Sequence, residues 1–514
     1  MNGIFITDAS AIFSDKLTLD DTIIKGDKFY FGKIEKEFEP INNERYDLRC
    51  NRILKYLADK LDLSAYKKGE IGIVIATTNS GIQEFELSED KHHAELGNPA
   101  EFLSWYLGTT NYVAGISTAC TSGVKAFSTA EKLLKNDVCK AVIVGGIDTL
   151  ASMPSYGFHA LEVLSHKKTN PFSKNRDGIS LGEGGALFVL TKSTTQLSNN
   201  SVIQLLGIGE TSDAYHSATP NPDGIQAVKA IQMALEEANL KPEDIDYINL
   251  HGTGTVSNDL MEANAIYKIF GDKVLTSSTK PFTGHCLGAA ACIEIFICYE
   301  ILRGKRSLPI HKFDGEYDES LPKISFVTEK TLSKKVETCM STSFGFGGTN
   351  AAVILGQPKD YIDLAETCIP HATPMVLIDK VLDVDMERQI VKTSVTINDD
   401  KIFFDKEING ISPLVGIEFM AQTIGCYAYY KSGKTIPRIG FLLGTRLYEN
   451  NLEKFENGKT YIITAREIYG DDELVSFECL IYNEENDGSE EYVAKATINA
   501  FQPKDAEKYI KELG

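Results

Sequence analysis

Up to about Gly356, short β-branched runs flanked by glycine alternate with longer segments of helical periodicity. The strand-like runs are "EIGIVIATT", "CKAVIVGGIDT", "GALFVLTK", "DYINLHGTG" and "AAVILG". Helical periodicity is clearest in "GIQAVKAIQMALEEANL" and "LMEANAIYKIF". Strands that alternate with helices along a chain usually form a sheet covered by helices. This part of the chain is therefore predicted to be a layered α/β fold.

From about Gln389 the pattern changes to strand-like runs that alternate in the antiparallel manner. These runs are "QIVKTSVTIN", "KTYIITAREIYG", "ELVSFECLIYN" and "EYVAKATINAF", and the polar "EENDGSE" joins the last two. One long apolar helix, "PLVGIEFMAQTIGCYAYYKS", precedes most of them. We predict an α+β domain in which the sheet wraps this helix, and we place the two domains at residues 1–357 and 358–514.

The net charge of −20 argues against nonspecific binding of nucleic acid. An anionic carrier would need a local basic patch on such a chain. The ten cysteines form no CxxC pair and show no zinc-ligand spacing with histidine. This pattern is typical of reduced thiols, so we expect a cytoplasmic protein without a metal site.

Two apolar segments could be mistaken for targeting or membrane signals. The N-terminal "MNGIFITDASAIF" has no basic region followed by a long apolar core, so it does not resemble a signal peptide. The segment from Cys286 to Leu302 contains Glu294 and Glu300. It is predicted to be a buried helix rather than a membrane span.

Cys120 lies in "STACTSG", just ahead of the amphipathic "VKAFSTAEKLLK". A cysteine at this place is either a small packed side chain or a reactive one. The partial positive charge of a helix N-terminus stabilises a thiolate, which favours the second interpretation.

Three further motifs follow in order along the chain. "HGTGT" begins at His251, "KPFTGH" runs from Lys280 to His285, and "SFGFGGTN" begins at Ser343. With the Cys120 motif they resemble the ketosynthases, the condensing enzymes of fatty-acid and polyketide synthesis, over about residues 71–355. The resemblance implies the thiolase-like fold, with two similar halves layered αβαβα, and dimerisation around the nucleophile.

The resemblance also implies a role for each residue. Cys120 would hold one acyl chain as a thioester while malonyl on a carrier protein loses carbon dioxide. Two neutral histidines, His251 and His285, would donate hydrogen bonds to the resulting enolate. Lys280 would keep the second of these histidines oriented.

Four further positions match family residues. Backbone N–H groups of Cys120 and Phe346 would form an oxyanion hole, and Phe346 between glycines would act as a gate. Thr253 and Thr255 would contact the phosphopantetheine arm of the carrier. Glu294 matches a position that either anchors a loop or binds an ion, and we do not count it as catalytic.

The chain departs from the family near its start. Cys120 lies several tens of residues nearer the N-terminus than in most ketosynthases. The usual opening strand with its "TG-x-G" loop is not recognisable in "GIFITDASAIF".

"IPHATPMVLIDKV" and "GIEFMAQTIG" resemble the hot-dog 3-hydroxyacyl-carrier-protein dehydratases over about residues 364–503. They are most similar to those of aryl polyene and flexirubin-type pigment clusters. Glu418 lies on the apolar helix, one turn from Leu414 and Gln422. We expect burial to raise the pKa of Glu418 toward neutrality, which would suit proton transfer.

The histidine that this family uses with the carboxylate is missing from "FFDKEINGISPLVG", and the only histidine after Ser343 is His371. Three alternatives remain: His371 serves the chemistry, a partner hot-dog subunit supplies a histidine opposite Glu418, or the domain only binds and recruits.

The sequence as a whole predicts a β-ketoacyl-carrier-protein synthase with a dehydratase domain and no cofactor of its own. Its substrates would arrive on the phosphopantetheine of an acyl carrier protein. We expect a homodimer, or a heterodimer with another ketosynthase-like or hot-dog subunit. No GxGxxG loop is present, so a separate ketoreductase must act between the two reactions.

The alternatives are a thiolase, which needs a second cysteine that "SFGFGGTN" lacks, and a chain-length scaffold, which usually lacks the nucleophile.

Overall fold

The computed structural model describes residues 3–192, 202–332, 334–358, 363–433, 437, 439–470, 474–484 and 491–503. The chain divides into two compact units, residues 3–358 and residues 359–514.

Strands and helices alternate in the first unit, as the sequence predicts. Its strands are β1 (Ile4–Phe13), β2 (Thr18–Asp20), β3 (Phe29–Phe31), β4 (Ile71–Ala76), β5 (Val113–Ile116), β6 (Ala141–Asp148), β7 (Gly184–Thr191), β8 (Ile203–Ser212), β9 (Tyr247–Asn249), β10 (Leu275–Ser277), β11 (Ser325–Phe326), β12 (Thr338–Gly345) and β13 (Thr349–Gly356). Its helices are α1 (Arg49–Ala58), α2 (Ile82–Ser88), α3 (Asn98–Leu107), α4 (Ser122–Lys135), α5 (Ser152–Ala160), α6 (Ile225–Ala238), α7 (Val256–Phe270), α8 (Lys280–Thr283) and α9 (Ala290–Leu302).

The 11-stranded sheet of this unit contains two halves with the same topology, and β11 extends it beyond β10. The first half has the order β5-β4-β6-β7-β1 and the second has β10-β9-β12-β13-β8, so that both read 3-2-4-5-1 along the chain. Parallel and antiparallel pairings also fall at the same places in both halves. Antiparallel pairing of β1 with β8 joins them. The expectation of two similar halves is confirmed.

Three helical layers enclose the two halves of the sheet. The helices α4 and α9 share one apolar core with strands of both halves. The outer face of the first half is covered by α1 and α3, and that of the second half by α6 and α7. The predicted buried helix corresponds to α9, nearly all of whose side chains are buried. Among the described residues, no helix is both long and apolar enough to cross a membrane.

The opening segment "GIFITDASAIF" forms a strand, although its sequence was not recognisable as one. Polar residues such as Asp8 and Ser10 interrupt its apolar pattern, so strand periodicity is weak. The strand β1 forms because β7 and β8 supply backbone partners on both of its sides.

In the second unit an antiparallel sheet packs on one helix, as predicted. Its elements are β14 (Asp363–Leu364), β15 (Lys380–Asp385), β16 (Ile390–Thr396), β17 (Phe404–Asp405), β18 (Gly410–Ile411), α10 (Gly416–Lys431), β19 (Phe441–Asn450), β20 (Phe455–Glu456), β21 (Thr460–Gly470), β22 (Leu474–Asn483) and β23 (Ala494–Phe501). Seven strands form one sheet in the order β14-β15-β16-β21-β22-β23-β19. Strands β22 and β23 pair antiparallel, and residues 485–490 of their predicted connection lie outside the described residues.

The sequence patterns missed β15 and β19. Strand β19 changes register twice against β23, on either side of Gly444 and Thr445. Such irregularities break the alternation by which a strand is recognised in a sequence.

Candidate active sites

Cys120 lies in a turn, two residues before the first residue of α4. Ala119 adopts a left-handed conformation (φ 54°), and the Thr118 N–H donates to Ser122 Oγ at 2.8 Å. The first turn of α4 packs directly on α9. The approach is so close that a Cβ at Gly123 would lie 2.9 Å from the Cys292 backbone nitrogen. Glycine is therefore needed there, three residues after Cys120.

Cys120, His251 and His285 meet in one buried cavity. Cys120 Sγ lies 3.1 Å from His285 Nε2, and the two imidazole rings are perpendicular with centroids 5.3 Å apart. The three ligand atoms lie within 4.8 Å of one another, so this group could also hold a metal ion. The enclosed space is about 60 Å³ and is also lined by Thr253, Thr255 and Phe346.

Both histidines are neutral at pH 7. Burial, reinforced by the Lys280 charge, lowers the pKa of His251 and of His285 well below the usual value. A neutral imidazole can donate a hydrogen bond from one nitrogen and accept at the other.

The resting thiol is not ionised, which corrects the expectation of a thiolate held by the helix N-terminus. Burial raises the pKa of Cys120 to about 11, although the Lys280 charge and the Phe346 backbone N–H act in the opposite direction. Desolvation is the largest of these effects because the sulfur is enclosed. The thiol must therefore lose its proton to a neighbouring base during attack.

Lys280 contacts the first histidine and not the second, which is a further correction. Its ammonium lies 3.5 Å from His251 Nδ1 and is paired with the buried Glu294 carboxylate. An ammonium can only donate, so Nδ1 of His251 must accept and the ring proton sits on Nε2. Glu294, which sequence reasoning left out of the catalytic set, thus holds the lysine that orients His251.

Two acids on α7 hold the "HGTGT" loop. Glu262 accepts hydrogen bonds from the backbone N–H groups of His251 and Gly252, both at 2.7 Å. Asp259 accepts from the Gly254 N–H at 3.2 Å. Sequence reasoning missed both residues, because acids near the start of a helix are usually exposed and their complete burial is visible only in the structure.

The predicted carrier-contacting and gating residues lie at the same cavity. The hydroxyls of Thr253 and Thr255 are 3.1 Å apart, and Thr255 also caps α7 by accepting from the Asn258 N–H. Phe346 stacks on Phe158 with centroids 5.7 Å apart.

In the second unit, Glu418 and His371 face each other across one end of a cavity of about 720 Å³. Glu418 Oε1 lies 3.8 Å from His371 Nε2 and accepts from Gln422 Nε2 at 3.0 Å. Gln422 also binds backbone groups of Met375 and Leu377, which holds the His371 loop against α10. The Glu418 side chain is 31% exposed, so it is not the buried carboxylate that its apolar helix predicted. Of the three alternatives, this geometry favours His371 of the same chain.

Models of known families match most of the chain. "Beta-ketoacyl synthase, N-terminal domain" matches residues 65–195, and "Beta-ketoacyl synthase, C-terminal domain" matches residues 202–314. "ApeP dehydratase" matches residues 364–511.

Curated relatives are named 3-oxoacyl-[acyl-carrier-protein] synthase 2. The chain is 37% identical to that of Coxiella burnetii over 258 residues, covering 48% of this chain and 62% of the relative, which is less than two thirds of its length. It is 32% identical to that of Vibrio cholerae over 326 residues, covering 57% of this chain and 77% of the relative.

Solved structures show the same fold. One is a chain of the complex between the ketosynthase ApeO and its chain length factor ApeC from Xenorhabdus doucetiae. It is 32% identical, with a TM-score of 0.65, covering 70% of this chain and 98% of the other. A chain of the AntDE:AntF complex has a TM-score of 0.61 at 21% identity, covering 70% of this chain and all of the other, and shows the fold alone. By these relationships the chain belongs to the β-ketoacyl synthase family, and a domain of the ApeP-like dehydratase family follows its ketosynthase part.

Proposed function

We propose that the first unit extends an acyl or polyenoyl thioester by decarboxylative Claisen condensation with a malonyl thioester on an acyl carrier protein. The second unit would dehydrate the 3-hydroxyacyl chain after a separate ketoreductase has acted, in polyene, fatty-acid or polyketide synthesis. The observation that carries this proposal is the meeting of Cys120 with two neutral histidines in one buried cavity. Among the described residues lining that cavity, Cys120 is the only cysteine, which disfavours a thiolase.

Acyl transfer to Cys120 is the first step. As Sγ attacks the thioester carbon, its proton passes to Nε2 of His285 and then to the departing carrier sulfur. The carbonyl oxygen gains negative charge, which the backbone N–H groups of Cys120 and Phe346 would stabilise.

The malonyl group then loses carbon dioxide as the bond to its carboxylate breaks, leaving an enolate. His251 is set to donate to the enolate oxygen, because Lys280 fixes its proton on Nε2. His285 Nδ1 has no hydrogen-bond partner among the described residues. No hydrogen bond among the described residues fixes the tautomer of His285. Its Nε2 can therefore accept the Cys120 proton during acyl transfer and donate a hydrogen bond to the enolate during decarboxylation. The enolate carbon attacks the acyl thioester, and the Cys120 sulfur leaves as a thiolate, which takes up a proton from solvent to regenerate the resting thiol.

Dehydration needs a base at C2 and an acid for the hydroxyl at C3. His371 and Glu418 are close enough to share this work in the large cavity of the second unit. One would take the C2 proton while the other protonates the departing hydroxyl, which leaves as water.

The substrates would arrive on a carrier protein, whose phosphopantetheine arm Thr253 and Thr255 would contact. The names of the curated relatives support a carrier partner. The ApeO–ApeC complex supports a second ketosynthase-like subunit as the partner of the first unit. We propose no resident cofactor.

The test is reconstitution of the full chain with an acyl donor, malonyl-carrier protein and a ketoreductase, followed by mass spectrometry of carrier-bound products. We expect chains longer by two carbons that contain a new double bond. Absence of both condensation and carbon dioxide release would favour a non-catalytic scaffold.

A further inference from the structure

The three side chains that meet in the cavity of the first unit are ones that zinc prefers as ligands. Cys120, His251 and His285 each offer one ligand atom, and these atoms lie within 4.8 Å of one another. Catalytic zinc sites use three such side chains and leave a fourth position open. The enclosed space of about 60 Å³ has room for a water molecule at that position. A bound ion would stop the proposed condensation, because a sulfur held by metal cannot carry an acyl chain.

His285 could bind a metal ion without breaking a hydrogen bond to another residue of the loop or sheet. Its Nε2 lies 3.1 Å from Cys120 Sγ, and its Nδ1 has no hydrogen-bond partner among the described residues. The ring can therefore carry its proton on Nδ1 and present a lone pair at Nε2. Coordination would replace the proton of the Cys120 thiol, which would pass to solvent. Cys120 and His285 thus provide two ligands.

His251 has no free lone pair to provide the third ligand. Its Nδ1 accepts from the Lys280 ammonium at 3.5 Å, and an ammonium can only donate. A neutral imidazole has a single lone pair, so Nε2 must carry the proton. Metal binding at Nδ1 would displace the ammonium. Metal binding at Nε2 would move the proton to Nδ1, where it would face the ammonium. Either nitrogen can therefore bind metal only if the contact with Lys280 is broken.

The Lys280 ammonium is held in place beside His251. Its side chain is 1% exposed, and it is paired with the Glu294 carboxylate, whose side chain is 3% exposed. Moving the ammonium away would leave Glu294 as a buried, unpaired charge, which is strongly unfavourable. The positive charge of Lys280 also repels a second cation in the same enclosed space.

We propose that the Lys280–Glu294 pair keeps metal out of this site, because it withholds His251 from coordination and leaves a divalent ion such as Zn²⁺ only two of its three ligands. The inference concerns the site without substrate and goes beyond the proposed condensation. Removal of the pair frees the lone pair of His251. The three side chains should then form a zinc site with an open fourth position.

The test measures metal binding to the full chain, without substrate, in the natural protein and in Lys280→Met/Glu294→Leu. Competition with a chromophoric chelator gives the Zn²⁺ affinity, and the absorption spectrum of added Co²⁺ reports a thiolate ligand in tetrahedral geometry. We expect the double variant to bind Zn²⁺ at least about tenfold more tightly, since one hydrogen bond to a charged group no longer has to break. With one equivalent of Co²⁺, the double variant should show the cobalt–thiolate band and the natural protein should not.

Further variants assign the binding to the three side chains. Adding Cys120→Ala to the double variant should remove the cobalt–thiolate band, and adding His251→Asn should return the Zn²⁺ affinity to that of the natural protein. The matched control is Lys431→Met/Glu467→Leu, which removes an ion pair from the second unit. This control should leave the Zn²⁺ affinity of the chain unchanged.

A second comparison leaves the ion pair intact and so does not depend on the folding of the double variant. In the natural protein, weak Zn²⁺ binding through Cys120 and His285 should be reduced by His285→Asn and unchanged by His251→Asn. An equal loss in these two variants would overturn the proposal, as would equal Zn²⁺ affinity of the natural protein and the folded double variant. Failure of the natural protein to condense thioesters would end the proposed function and leave these expected affinities unchanged.

Discussion

Lys280 and Glu294 form an ion pair inside the first unit, with 1% and 3% of their side chains exposed. The same ammonium lies 3.5 Å from Nδ1 of His251. A buried ion pair contributes little stability compared with apolar residues of the same shape. We infer that the pair is present because it fixes the proton of His251 on Nε2.

Breaking this pair from one side should destabilise the fold. Lys280→Met leaves a buried unpaired carboxylate, and we expect the free energy of unfolding to fall by about 3–5 kcal/mol. The double variant Lys280→Met/Glu294→Leu should recover much of that loss in chemical denaturation. Condensation by the refolded double variant should stay at least about 100-fold below normal, since one oriented donor is lost. Normal condensation by the double variant would disprove the positioning role.

Cys120→Ala should abolish condensation while malonyl-carrier decarboxylation continues, because the histidines that stabilise the enolate remain. Carbon dioxide release and mass spectrometry of the carrier measure the two reactions separately. The matched control is Cys139→Ala, which removes a buried thiol that does not line the cavity and should leave both reactions intact. Condensation by Cys120→Ala would exclude this sulfur as the nucleophile.

Glu262 should make stability depend on pH. Burial raises its pKa from 4.5 to about 7, against the opposing effect of the Gly252 N–H and Thr342. The folded state therefore holds this proton more tightly than the unfolded state does. Its contribution to stability is fully present below pH 4.5 and is lost as the pH rises through 7.

The measurement compares the unfolding free energies of the natural protein and Glu262→Gln across this range. The natural protein should lose roughly 3 kcal/mol relative to the variant between pH 4.5 and pH 8. A difference that does not change with pH would show that Glu262 has the same pKa folded and unfolded.

His371→Gln and Glu418→Gln should each reduce dehydration by about 100- to 10,000-fold, the usual range for loss of a general acid or base. Condensation should be unchanged, since both residues belong to the second unit. The reciprocal control is Cys120→Ala, which should dehydrate a supplied 3-hydroxyacyl-carrier substrate normally. Full dehydration by His371→Gln would point to a histidine from a partner subunit.

Local pattern was enough to predict much of the architecture. Helices α6, α7 and α10 form where apolar residues recur with helical spacing, and β16, β21, β22 and β23 form where they alternate. Strand β1 was missed because its pairing with β7 and β8, and not its own composition, makes it a strand.

Sequence alone predicted the order of the two folds and most of the residues that gather at the two candidate sites, because periodicity and short motifs are local properties. Tertiary structure decided what surrounds each group. Enclosure raises the pKa of Cys120 although it lies at a helix start. Lys280 contacts His251 and not His285, although His285 is nearer to it in the sequence. Glu467 lines the same cavity as Glu418, although 49 positions separate them in the chain. Desolvation and contacts between distant residues depend on how the chain packs, and no local pattern encodes them.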